Sequence, residues 1–139
     1  MAKDLTGAIA SLRQLNQPVP KPRRLPTEME VRQAEQKLGV SFHCDIRRYL
    51  LEASDVVYGS LEPVTITSPG SHTDLISVTE AGREYWRLPP EYIPICEDND
   101  DMFCVRPDGV VVFWPHDGTS DESWPNVAEW INEVWLGEK

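Results

Sequence analysis

The sequence predicts an α+β fold: a single domain in which an antiparallel β meander is packed by an N-terminal helical hairpin and a C-terminal helix, with a further helix appended at the N-terminus. Three observations predict it. Two short amphipathic stretches follow one another between residues 27 and 53. The runs 92–96, 102–105 and 110–114 are apolar, strand-like, and separated by turn-forming residues. A tryptophan-rich stretch with a strong helical period closes the chain.

Residues 4–16 read as a short amphipathic helix, with Leu5, Ala8, Ile9, Leu12 and Leu15 near one face. The segment "QPVPKPRRLP" follows, and its prolines at 18, 20, 22 and 26 forbid helix and favour an extended, stiff connector. Residues 1–25 are therefore expected to be a helix and linker preceding a domain at 26–139. The helix either docks back on that domain or stays mobile. The domain starts at Thr27, which forms a Thr-x-x-Glu capping box with Glu30; Val31, Ala34 and Leu38 are the buried stripe, and Gly39 ends the helix. A second helix is expected at 44–53, with Ile46, Tyr49, Leu50 and Ala53 inward.

"LEPVTIT" reads as a strand ended by a Ser-Pro-Gly-Ser turn at 68–71. "DLISVTEAGREYWRL" starts extended and turns helical after Ser77, where Ser77-x-x-Glu80 offers a capping box, until Pro89 and Pro90 stop it. The three strands follow, with turns at 98–101 and at Pro107-Asp108-Gly109. In the last helix Asn126 is a cap, and Val127, Trp130, Ile131, Val134 and Trp135 form the apolar face.

Charge narrows the function. Residues 91–139 hold 12 acidic and 2 basic side chains, whereas residues 1–90 hold 11 of each, so the whole excess of −10 sits in the last third. Such a surface repels phosphate backbones, which argues against nucleic acid as a direct partner. A basic protein is its natural complement, the competing reading being that the charge serves solubility alone. The start "MAKDLTGAIASL" lacks the apolar run of a signal peptide, and no run is long enough to cross a membrane. Cys44, Cys96 and Cys104 cannot all pair within one chain and are expected to be reduced thiols in a cytoplasmic, monomeric protein.

Chemical sites fare poorly. Counting an EF-hand from Asp98 places Met102, Phe103 and Gly109 where ligands or glycine are required. Cys96 and Cys104 lie too far apart for a zinc knuckle, and His43-Cys44 are adjacent at a helix start. His116-Asp117 with Cys104 lacks a nucleophile elbow, and no Gly-rich phosphate loop is present. We therefore expect no enzyme activity, no metal and no cofactor. The binding candidates are Glu97, Asp98, Asp100, Asp101, Asp117, Asp121 and Glu122, with Trp114 and Trp124 either as interface anchors or as plugs at the ends of the core.

"EQKLGVSFHCDIRRYL" at 35–50, "YIPICEDNDDMFCVRPDGVVVFWPHDG" at 92–118 and the terminal Trp-rich helix resemble the SUKH superfamily, which includes fungal cell-wall assembly regulators and bacterial immunity proteins. The resemblance runs over residues 26–136. His43 stands where the family usually has proline, and "VVYGS" replaces an Asn-Gly-Gly turn. The resemblance implies a non-catalytic α+β protein-binding domain and, for bacterial members, an immunity protein that neutralises a toxin, often a nuclease. The alternative it carries is a regulatory or scaffolding module of the cell-wall assembly regulator type.

Overall fold

The computed structural model describes residues 4–21, 23–98, 101–116 and 120–137. Among the described residues four helices precede four strands and a fifth helix follows: α1 (Leu5–Leu15), α2 (Glu28–Leu38), α3 (Cys44–Ala53), α4 (Leu75–Tyr85), β1 (Ile93–Asp98), β2 (Asp101–Val105), β3 (Val111–Trp114), β4 (Ser123–Trp124) and α5 (Val127–Trp130), which runs on as a π-helical segment over Ile131–Trp135. The α+β class is as expected. Local chemistry sets the helix starts: Asp4 accepts from the Gly7 N–H, the Thr27–Glu30 capping box is closed in both directions, and Asn126 accepts from the Glu129 N–H. Gly39 ends α2 in the left-handed conformation, φ 71°.

The strands form one antiparallel sheet in the order β1-β2-β3-β4. Directly paired residues share a face. Met102 pairs Trp114 and Cys104 pairs Val112, so these line one face; Phe103 pairs Phe113 and Val105 pairs Val111, which pairs Trp124, so these line the other. The first face meets α4, where Gly82 lets the helix approach: a Cβ there would stand 3.1 Å from both Met102 Sδ and Cε. The second face meets α5, with the Phe103 and Trp130 rings 5.4 Å apart. Beyond them Trp130 packs on Trp135, and Trp135 on Tyr49 of α3. One core therefore joins both layers.

Of the two positions open to the first helix, the docked one is seen. Leu5, Ala8, Ile9 and Leu12 are buried in the common core, and Leu12 is wholly inaccessible. Polar contacts tie the helix down: Arg13 pairs with Asp55, Arg48 donates to Thr6 Oγ1 at 3.2 Å, and the Gln17 N–H donates to Val57 O at 2.8 Å.

Three elements depart from expectation. "LEPVTIT" is not a continuous strand: it makes single bridges, Pro63 to Cys96 and Thr65 to Asp74, with the Val64 N–H donating to Ile95 O at 2.8 Å. It is a strap between β1 and the start of α4, and Pro63 has no N–H to extend the ladder. Helix α4 starts before Ser77, because Asp74 is the cap: its carboxylate accepts from the Ser77 N–H and hydroxyl. The short β4 lies inside what read as a polar loop, held by its pairing to β3.

Candidate interaction surface

The turn at one end of the sheet collects the acidic residues. In β1 the register shifts between Pro94 and Cys96, so that Glu97 pairs Met102 and Asp98 pairs Asp101. Moving across the strands at this end, Trp114 follows Met102, and the Phe113 N–H donates to Glu122 O at 3.1 Å. The pairing therefore brings Glu97, Asp98, Asp101 and Glu122 to one end of the sheet, with Asp121 next along the chain. Asp98, Asp121 and Glu122 are exposed, while Glu97 and Asp101 are half-buried. Asp100 and Asp117 lie outside the described residues.

Asp101 has a structural bond as well as a charge. Its Oδ1 accepts from the His116 backbone N–H at 2.9 Å and lies 2.8 Å from His116 Nδ1, tying the β1–β2 turn to the segment after β3. The backbone hydrogen bond, with the His116 side chain adding to it, holds the Asp101 carboxyl below its ordinary range. Both tryptophans singled out are half-buried at the edge of the core. Trp114 donates its indole N–H to Trp86 O at 2.9 Å and packs edge-on against Tyr92; Trp124 packs against Phe103 at 5.6 Å. They frame the acidic end from opposite faces of the sheet and do not meet.

Sequence reading missed Trp86. It caps α4 beside the acidic turn, its ring edge-on to His116 at 5.7 Å. The signal was present: an aromatic pair, Tyr85-Trp86, stands at a helix end just before "RLPP", where a chain turning from helix to sheet leaves its last side chains at the rim.

The thiols divide by environment. Burial, and after it the nearby Asp98 carboxylate, pushes Cys96 up to about 12, and burial alone pushes Cys104 up further, so both are poor nucleophiles. Cys44 is exposed at the start of α3. His43, Cys44 and Asp45 bring one nitrogen, one sulfur and one oxygen within 4.8 Å of each other. That donor set suits a borderline metal ion. However, His43 Nδ1 already accepts the Asp45 N–H at 3.0 Å as the cap of the helix, so a metal taken at that nitrogen would uncap α3. Among the described residues no helix is long and apolar enough to cross a membrane.

The SUKH_5 family model, described as SMI1-KNR4 cell-wall, matches residues 5–136. The match takes in α1 and the proline-rich connector, both outside the span over which the sequence motifs were recognised. A crystal structure of a protein from Pseudomonas syringae pv. tomato is similar along nearly its whole length: 43% identity, TM-score 0.88, covering 94% of this chain and 98% of that one. No curated protein matches. Fold, motif order and family model agree: the chain belongs to the SUKH (SMI1-KNR4) family, whose domains are generally binding modules without catalytic activity.

Proposed function

We propose that this protein is a cytoplasmic immunity protein that binds and neutralises a cationic toxin, most simply a nuclease, through the acidic end of its sheet. The observation that carries the reading is the gathering of Glu97, Asp98, Asp101, Asp121 and Glu122 at one sheet end by strand pairing, in a chain whose net charge is −10. A nuclease is basic where it holds nucleic acid, and an acidic blocker complements that surface in both sign and encounter rate. The family supports a protein-binding role in general terms. The alternative is a regulatory or scaffolding module that docks through the concave side of the sheet or through a mobile first helix; the burial of Leu5, Ala8, Ile9 and Leu12 disfavours the helix route alone.

The test is charge reversal at exposed positions whose carboxylates hold no neighbouring segment, the bond of Glu122 to Phe113 running through its backbone oxygen. Asp121→Lys with Glu122→Lys should slow association with the toxin domain about tenfold or more at low ionic strength and flatten its salt dependence, with the melting temperature preserved. Co-expression with the toxin should then no longer protect the cell. Full protection by the reversed variant would remove this surface from the account. Deleting α1 is not a usable control, because that helix contributes to the core.

A further inference from the structure

The start of α3 gathers three donor atoms of different kinds. His43 Nδ1 lies 3.9 Å from Cys44 Sγ, Cys44 Sγ lies 3.8 Å from Asp45 Oδ1, and His43 Nδ1 lies 4.0 Å from Asp45 Oδ2. A point equidistant from three atoms so spaced stands roughly 2.3 Å from each, close to zinc's bonds of about 2.0–2.3 Å to nitrogen, oxygen and sulfur. The adjacency that rules out a zinc knuckle does not rule out this arrangement. The three residues are the cap and the first two positions of a helix, whose tight turn folds them onto one spot. The imidazole is seated from its other edge: it fills the space that a Cβ on Gly109 would take, 2.7 Å from Nε2.

The chemistry of the donors selects the ligand. A carboxylate alone suits hard cations, whereas imidazole and thiolate beside it favour a borderline ion such as zinc. The Asp45 N–H that donates to Nδ1 at 3.0 Å requires a lone pair there, so the neutral ring carries its proton on Nε2 and presents Nδ1 in the form that binds a metal. A thiolate, a carboxylate and a neutral imidazole balance a dication, and both anions stand at a helix N-terminus, where the dipole favours them. The arginines of the same helix are engaged elsewhere, Arg47 with Glu35 and Arg48 with Glu52. Cys44 is exposed, so an ion can enter from solvent.

We infer that the start of α3 binds one borderline divalent cation of the zinc type through His43 Nδ1, the Cys44 thiolate and the Asp45 carboxylate, with water completing the coordination. Binding releases the Cys44 thiol proton to solvent. The ion and the Asp45 N–H compete for the single lone pair of Nδ1, so the metal takes over from the histidine cap and ties the same three residues together in its stead. The site lies beside the β2–β3 turn, at the end of the sheet away from the acidic surface, and stands or falls independently of that reading.

Cobalt(II), a spectroscopic substitute for zinc, tests the site when titrated into the reduced full chain in a non-coordinating buffer. A thiolate-to-cobalt absorption band should appear in the near ultraviolet, saturate at equimolar metal and disappear on addition of zinc. Cys44→Ala should abolish the band. His43→Ser, which keeps a capping oxygen, and Asp45→Asn should each weaken cobalt by at least about tenfold, since even indirect support of a metal ligand is worth that much. With zinc bound, the Asp45 amide should shift in NMR spectra, reporting loss of the cap bond. Absence of the band up to millimolar cobalt would overturn the site. So would a band that survives Cys44→Ala, or unchanged affinity in either His43→Ser or Asp45→Asn. An unmoved Asp45 amide at saturating zinc would overturn Nδ1 as the donor.

Discussion

Replacing Gly109 by alanine tests how the sheet communicates with the helical layer. Gly109 ends the turn between β2 and β3 at φ 90°, with its N–H donating to Arg106 O at 2.9 Å. An L-residue in the left-handed region costs about 1–2 kcal/mol. The new Cβ would also stand 2.7 Å from His43 Nε2 and 2.9 Å from its Cε1, closer than any real contact. The ring must move, and moving it breaks the bond from the Asp45 N–H that caps α3, worth about 0.5–2 kcal/mol. The total is roughly 1.5–4 kcal/mol, a large part of a typical domain stability of about 5–15 kcal/mol. Urea unfolding of four proteins measures it: wild type, Gly109→Ala, His43→Ser and the double variant. Serine retains a capping oxygen and removes the ring, so Gly109→Ala should cost only about 1–2 kcal/mol in that background. Equal costs in the two backgrounds would refute the contact as the cause, and a cost under about 0.5 kcal/mol in both would refute the backbone argument as well.

Two further predictions follow from the ionisable groups. Arg24, and after it the Thr27 backbone N–H, hold the Glu30 carboxyl at about 2, below its ordinary value. A carboxyl depressed on folding stabilises above its unfolded value near 4.5 and loses that contribution as pH falls through about 2. Glu30→Gln should therefore cost about 1 kcal/mol at neutral pH, solvent screening included, and the gap to wild type should close between these limits in pH-dependent thermal melts. Of the cysteines only Cys44 is exposed, so a chromogenic disulfide reagent should titrate one thiol in the native protein and all three after unfolding. Fast native reaction of a second thiol would contradict the buried placement of Cys96 and Cys104.

Much of this architecture was legible because local rules and tertiary packing agree. Helices α2 and α3 were placed almost to the residue by a capping box, a left-handed glycine and an unbroken apolar stripe. The meander was legible because each strand is bracketed by residues that turn cheaply. Misreadings arose where long-range pairing decides. Asp74 outcompetes Ser77 as a cap because the Thr65 bridge fixes the chain just ahead of it, and no local pattern encodes that bridge. β4 is two residues long and exists only through its pairing to β3. The acidic residues were identifiable from composition, but their meeting at one sheet end, and the Asp101–His116 bond within it, depend on register. Trp86 was missed for the same reason: its partners, Trp114 and His116, come from the end of β3, far along the chain.

The irregularity in β1 gives this hairpin an unusual lever. The extra residue between Pro94 and Cys96 determines that Glu97 stands opposite Met102. Were Ile95 paired in turn and not bulged, alternation along the strand would place Glu97 opposite Asp101, on the side of the sheet that packs against the terminal helix. Deleting the isoleucine at 95 would remove the bulge, keep Cys96 opposite Phe103 and Glu97 opposite Met102, and cost the strand a fully buried side chain. In this scaffold the direction in which charge is presented is set by where the strand accommodates its one extra residue, so the same charged residues keep their side of the molecule only while the residue at 95 stays out of the ladder.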